Sequence, residues 1–427
     1  MKPIYLIHLG LIFICGLLAT FLPEVPQSKT GGPINTGDTA WLLTASGLVL
    51  LMTPGLSFFY GGMVRKKNMI STMLQSMVAL GVITVTWVAI GFSLSFGDSL
   101  GGVIGNPMTF FMYRGVGMAT HPDFSPTVPF ALFSLFQLKF AIITPAIISG
   151  AFSERVKFSS YLIFMVLFSI FIYAPLAHMT WHPDGLLRGW GVLDFAGGTV
   201  VHISAGMAAL AGSIYLGPRT ERLHEAASIP YVILGTGLLW FGWFGFNAGS
   251  SLGANETATL AFLNTNTASA VAMLTWMFLD CLNGKKLSAL GSCIGAVVGL
   301  VAITPAAGFV SIGAAILIGF VASAISNYAL ALKSKTAIDD TLDVFPCHGL
   351  GGMVGMVLTG VFAKDVGLIF GQTETFLYHI MALVLVATYC FVVSYGLYWI
   401  SNFTRPLRVT AEEELLGLDL SQHGESI

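Results

Sequence analysis

Eleven separate apolar runs constrain this chain more than any other feature. They lie near positions 39–63, 70–96, 128–152, 157–180, 196–216, 227–251, 257–282, 288–304, 307–332, 345–363 and 374–400. A hydrocarbon layer ~30 Å thick needs roughly 20 such residues per helix, and a helix satisfies its backbone polar groups without water. Composition agrees, because only 9% of the 427 residues are Asp, Glu, Lys or Arg, against about 25% in a soluble chain. The expected fold is an all-α polytopic membrane protein of 11 transmembrane helices. A further apolar run at residues 4–22 is either a signal peptide or a twelfth helix. The chain therefore divides into residues 1–38, a leader or extra helix with an external linker, residues 39–402, the membrane domain, and residues 403–427, a cytoplasmic tail.

A formal charge of −2 offers no basic field, so nucleic acid is excluded as a partner. Cys15, Cys281, Cys293, Cys347 and Cys390 show no CxxC pair and no metal spacing, and read as small core residues. No metal or other cofactor is expected, and no enzyme chemistry is visible.

Lys and Arg accumulate in cytoplasmic loops, and here they orient the bundle. Thirteen follow odd-numbered spans, from Arg65, Lys66 and Lys67 to Arg405 and Arg408, while Lys29, Arg114, Arg188 and Lys364 lie on the other side. The first of the eleven spans thus starts outside a cell (inner) membrane, and the carboxyl tail is cytoplasmic. Eleven spans divide as five, five and one, and an odd number per half makes the second half insert upside down. His202 with Gly206, and His348 with Gly352, echo one another across these halves, each with an upstream acid, Asp194 or Asp343. An inverted repeat places a substrate path at the repeat interface.

Ionisable groups inside a bilayer are costly and face the bundle interior or an aqueous path. The spans hold Lys139, Asp194, His202, Asp280, Asp343 and His348. His202 and His348 occupy matching places, so a pseudo-two-fold axis would bring two imidazoles face to face, able to share a proton along an apolar lumen. Two unrelated core histidines are the plainer alternative. Phe136 and Phe140 share one helix face, and residues 240–250 carry Trp240, Trp243 and Phe246 before Ser250. Ring faces attract a desolvating cation, although aromatic stripes also serve as filler. The acidic ring of a metal-cation channel is missing from this pattern.

Phe59-Tyr60-Gly61-Gly62 with Arg65 and Asn68, Ser153-Glu154-Arg155, Ala177-His178-Met179 followed by Trp181, the run from Asp194 to His202, the run from Gly242 to Ser250, and His348-Gly349 resemble the ammonium transporter and Rhesus-glycoprotein family. The likeness extends from about Trp41 to Glu425. It implies a homotrimer with one narrow pore per subunit and ammonium as substrate. Trp181 and Ser250 with Phe136 would recruit NH4+, Phe140 and Phe246 would form the gate, and His202 and His348 the relay. Asp194 would be an orienting and electrostatic group, or else a plain helix N-cap. Lys139 departs from the family pattern beside the gate residue Phe140. It is expected to restrict the pore if it faces the vestibule, which keeps open an ammonium sensor that binds but conducts poorly and relays to a cytoplasmic signalling domain. Glu412, Glu413 and Glu414 with Arg408 would dock the tail by charge and let a cytoplasmic regulator displace it.

Overall fold

A computed structural model describes residues 3–222 and 225–427, the side chains of residues 3–5, 7 and 8 excepted; the first two residues of the expected N-terminal segment lie outside the described residues. Among the described residues nine helices are long and apolar enough to cross a membrane, from Thr36–Met63 to Thr373–Thr404. Two more expected spans are helices of different character. Glu256–Leu282 is interrupted by Asn264, Asn266 and several threonines, and Ala289–Ile303 has only 15 residues. Helix starts follow the local chemistry: the side chains of Asn35, Ser228, Asn255, Ser288 and Ser311 each accept a first-turn backbone N–H, satisfying a donor that the helix itself leaves free.

The run at residues 4–22 falls on a helix, Pro3–Phe21, whose Leu9 and Phe13 are about two-thirds exposed. From there the chain lies along the external loop at residues 114–127. The Gly31 N–H donates to the Thr120 carbonyl at 3.0 Å and the Asn35 N–H to the Thr127 carbonyl at 2.8 Å. Two short antiparallel ribbons, Ser99–Leu100 with Ile104–Gly105 and Thr120–His121 with Ser125–Pro129, qualify the all-helical expectation. Cys293, Cys347 and Cys390 are buried as expected, whereas Cys281 is exposed near the end of its helix.

The two expected halves meet along corresponding helices. Thr36–Met63 runs beside Ile229–Gly249, and the helices bearing His202 and His348 cross. That crossing requires glycine. A Cβ on Gly206 would lie 2.2 Å from the Gly349 Cα, and one on Gly352 would lie 3.0 Å from the His202 Cβ. Each glycine follows one histidine by four residues and abuts the opposite helix at the other histidine. We expect Gly206→Val to abolish the monodisperse peak in size exclusion, because backbone cannot yield as a side chain does and overpacking costs about 1–3 kcal/mol or more. Gly237→Ala, with open space around it, should leave peak and melting temperature unchanged.

On the face holding most Lys and Arg, buried charges are paired. Glu154 lies between Arg65 and Arg219, and Arg219 also clasps Asp339 through Nε and Nη2. Burial alone would raise the Asp339 carboxyl, but Arg219 and neighbouring Arg155 hold it down at about 2. Its contribution to stability is therefore full above about pH 4 and is lost as pH falls towards 2.

The tail is laid against this network. Val409 N–H donates to the Arg155 carbonyl, Glu414 is buried against Arg408, and Asp419 accepts the Ile70 and Ser71 N–H groups at 3.0 and 2.7 Å. The expected docking by charge does not occur: of the acidic trio only Glu414 is ion-paired, with Arg408 of the tail itself, and it reaches the rest of the protein by accepting the Thr220 N–H. Glu413 instead closes a capping box with Thr410, and Glu412 is exposed. Replacing Asp419 with Ala leaves two buried donors without partners, costing about 1–3 kcal/mol. Limited proteolysis should cut residues 411–427 faster in Asp419→Ala than in the parent, and equal rates would separate Asp419 from tail docking.

Candidate functional site

The two histidine helices both begin with a wide π turn, Gly198–Ile203 and Phe345–Leu350. Each turn leaves N–H groups that a carboxylate satisfies. Asp194 accepts from Gly197, Gly198 and Thr199 at 2.6–2.8 Å and from the Thr199 hydroxyl. Gly197, at φ +113°, permits this tight entry. On the other helix the matching acid is Asp340, which accepts from Val344 and Phe345 at 3.0 and 2.7 Å. The expected counterpart Asp343 instead pairs with Lys333. Asp340 precedes its histidine by eight residues, as Asp194 precedes His202, whereas Asp343 stands only five before His348.

A vestibule of about 480 Å³ is lined by Phe133, Gln137, Phe140, Trp181, Asp194 and Ser250 among others. Trp181 donates its indole N–H to the Asp194 carbonyl at 3.1 Å, which fixes the ring. The Ser250 hydroxyl donates to the Phe246 carbonyl at 2.9 Å, leaving the oxygen's lone pairs free. Gln137 Oε1 is buried without a partner among the described residues. The vestibule closes where Phe140 and Phe246 stack, with centroids 4.1 Å apart and planes 24° from parallel. Phe136 is fully buried and braces Phe140 edge to face at 5.0 Å. It is not among the vestibule-lining residues.

Beneath the rings lie two spaces of about 10 Å³ each, on either side of His348. Each accommodates on the order of one water-sized molecule. The upper one is lined by Val201, His202, Trp243 and Phe246, and the lower by Phe59, Tyr60 and Cys347. Nδ1 of His202 and Nδ1 of His348 are 3.3 Å apart, so one donates and the other accepts. The His202 Nε2 is buried and free of any protein partner among the described residues. Trp243 stacks on the His202 ring at 5.4 Å and is held by donating to the Thr304 hydroxyl at 2.9 Å.

Sequence reading missed Gln137, Trp243 and His379. The first two stand inside motifs already picked out. His379 gives no local signal, yet its Nε2 accepts the Leu193 N–H and its Nδ1 donates to the Met356 carbonyl, tying the entry of the His202 helix to the helix of His348.

Lys139 is buried and lines neither the vestibule nor the small spaces below it. Leu135, one turn before it, is 37% exposed, which sets this helix face away from the path. Lys139→Thr is therefore expected to leave ammonium flux into proteoliposomes within about twofold of the parent, since a side chain off the path makes no contact with what crosses. A rise of tenfold or more would place the amine in the path.

Helices with apolar outer faces around a closed, largely apolar path that carries two histidines define a multi-pass membrane protein of transport type. A sequence profile of the Ammonium Transporter Family matches residues 40–427, and the chain belongs to that family. It is similar to the ammonium transporter of Aquifex aeolicus, with 46% identity over 92% of this chain and 93% of that one. The crystal structure of Candida albicans Mep2 superposes with a TM-score of 0.85 at 34% identity, covering 94% of each chain. A structure titled Sensor Amt Protein matches with a TM-score of 0.83 at 29% identity over 91% of this chain and 98% of that one.

Proposed function

We propose that the chain takes up ammonium by recruiting NH4+ in the vestibule, stripping its water at the Phe140–Phe246 stack, and passing ammonia, with or without a proton, along His202 and His348. The 3.3 Å imidazole contact directly beneath the ring stack carries this reading. In the vestibule, Trp181 offers a ring face and Ser250 and Gln137 offer acceptors, replacing part of the hydration shell. The Asp194 carboxylate is already committed to helix N–H groups, so it contributes field and orientation more than direct ligation. Phe136 acts through Phe140 as a support to the gate.

The reading includes eleven spans, with the amino-terminal helix a possible twelfth, and a cytoplasmic tail. It also includes a homotrimer, which would cover the exposed Thr259 and Asn266 on the least apolar long helix, Glu256–Leu282. The likeness to a sensor Amt protein favours a second reading, in which ammonium occupies the same vestibule with little flux and the tail relays its occupancy to a cytoplasmic regulator. Lys139, set off the path, lends that reading no support.

The test is current and internal pH in proteoliposomes after an ammonium jump. His202→Ala and His348→Ala should each lower proton-coupled current at least tenfold with trimer and melting temperature retained. Trp181→Leu and Ser250→Ala should raise half-saturating ammonium about 2- to 30-fold, the span of a 0.5–2 kcal/mol cation–π or acceptor loss. Parental current in both histidine variants would remove the relay, and binding without flux in the parent would favour the sensor.

A further inference from the structure

The chain contains the triplet His-Pro-Asp twice, at His121-Pro122-Asp123 and at His182-Pro183-Asp184. Both copies fold alike. The Asp123 N–H donates to His121 Nδ1 at 3.2 Å, and the Asp184 N–H donates to His182 Nδ1 at 3.1 Å. The two imidazoles both pack against Phe124, with ring centroids 4.9 and 5.4 Å from it. Both histidines line one cavity of about 410 Å³ on the outer side of the protein, together with Asp98, Asp123, Asp184 and Lys29. Phe96, Asp123 and Phe124 line this cavity and the vestibule alike, so the two spaces adjoin.

The imidazoles are 4% and 6% exposed, and with Nδ1 accepting a backbone N–H each neutral ring carries its proton on Nε2. Neither Nε2 has a hydrogen-bond partner among the described residues, and neither is among the fully enclosed unpaired atoms. Two N–H donors are thus left for whatever fills the cavity. A metal ion does not fit, because this tautomer removes the lone pair it would need, and no cluster of three metal-type side chains occurs among the described residues. The charge is that of a cation site: three carboxylates face one ammonium, Lys29, which holds Asp123 at 2.7 Å in a pair 61% and 42% exposed. Such an exposed pair is readily exchanged. At about 30 Å³ per water, the volume suits an ion that keeps its water.

We propose that the two His-Pro-Asp turns enclose a second, outer cation site, which holds a hydrated ammonium ion before it enters the aromatic vestibule. The carboxylates of Asp98 and Asp184 accept from the ion, the imidazole Nε2–H groups donate to its water, and the ring faces of Phe96 and Phe124 line the exit. Lys29, the chain's own alkylammonium, competes at Asp123. This inference rests on the reading that ammonium enters through the vestibule.

The experiment is isothermal titration of the purified full-length protein with ammonium chloride against N-methylglucamine chloride at constant ionic strength. The parent should bind two ions per chain and Trp181→Leu one. Trp181→Leu combined with Asp98→Asn and Asp184→Asn should bind none. Lys29→Met, at an exposed position, should tighten the outer site about threefold or more. Loss of all binding in Trp181→Leu alone overturns the outer site and leaves the vestibule reading standing, as does residual binding indifferent to the Asp substitutions and to Lys29→Met. A single parental site that responds to Asp98, Asp184 and Lys29 but not to Trp181 supports the outer site and overturns the vestibule.

Discussion

Two imidazoles 3.3 Å apart inside an apolar bundle are a demanding arrangement, and much of the architecture serves to hold them. Side chains of this length meet only if their helices cross almost in backbone contact. Gly206 and Gly352 allow that approach, each at the other helix's histidine. Both helices open with a π turn, and their first N–H groups, free as at any helix start, must find acceptors in a membrane. Asp194 and Asp340 supply them. A carboxylate at each helix start and a glycine at each crossing point together hold the two imidazoles in place.

The acids then tie the path to both faces of the protein. Asp194 lines the vestibule, and its carbonyl fixes Trp181. Asp340 directly follows Asp339, the partner of Arg219, and Arg219 leads through Glu154 and Arg65 to loops against which the tail lies. A few packed, charged contacts thus connect the tail to the turn carrying His348. His379 adds a direct strut between the two halves.

Much of this was legible in the sequence, for physical reasons that also explain what was not. Apolar runs report spans because lipid imposes a length. The matched histidine and glycine spacing reports the crossing because close approach imposes a residue type. The direction of Lys139 was open in the sequence, and helix geometry accounts for the outcome: neighbours on a helix point about 100° apart, so its side chain, beside Phe140, lies off the path on the side of Leu135. Asp343 is the acid nearer to His348, but the eight-residue offset that Asp194 keeps from His202 belongs to Asp340. His379 lies in a distant span and acts through backbone atoms, which no motif records. The paired His-Pro-Asp triplets were present as a plain repeat, but a three-residue repeat acquires meaning only when the loops bring both copies around Phe124.

The placement of charge bears on what crosses. Carboxylates and cations gather at the outer cavity and around the tail, whereas the space between the Phe140–Phe246 stack and Tyr60 presents two imidazoles and a lining of hydrocarbon, indole and thiol. A bare cation there would have no carboxylate to replace its water, and an isolated charge in such a medium neutralises rather than remain. Ammonium meets this condition easily, since it becomes neutral by giving up one proton. Under the proposed function the free His202 Nε2 would receive that proton and the Nδ1 contact would carry charge onward, while ammonia would move through spaces sized for one small molecule. An alkali ion has no proton to surrender and meets the full desolvation cost. Selectivity on this account comes from leaving charge out of the midsection, and the rings above need only hold back the water.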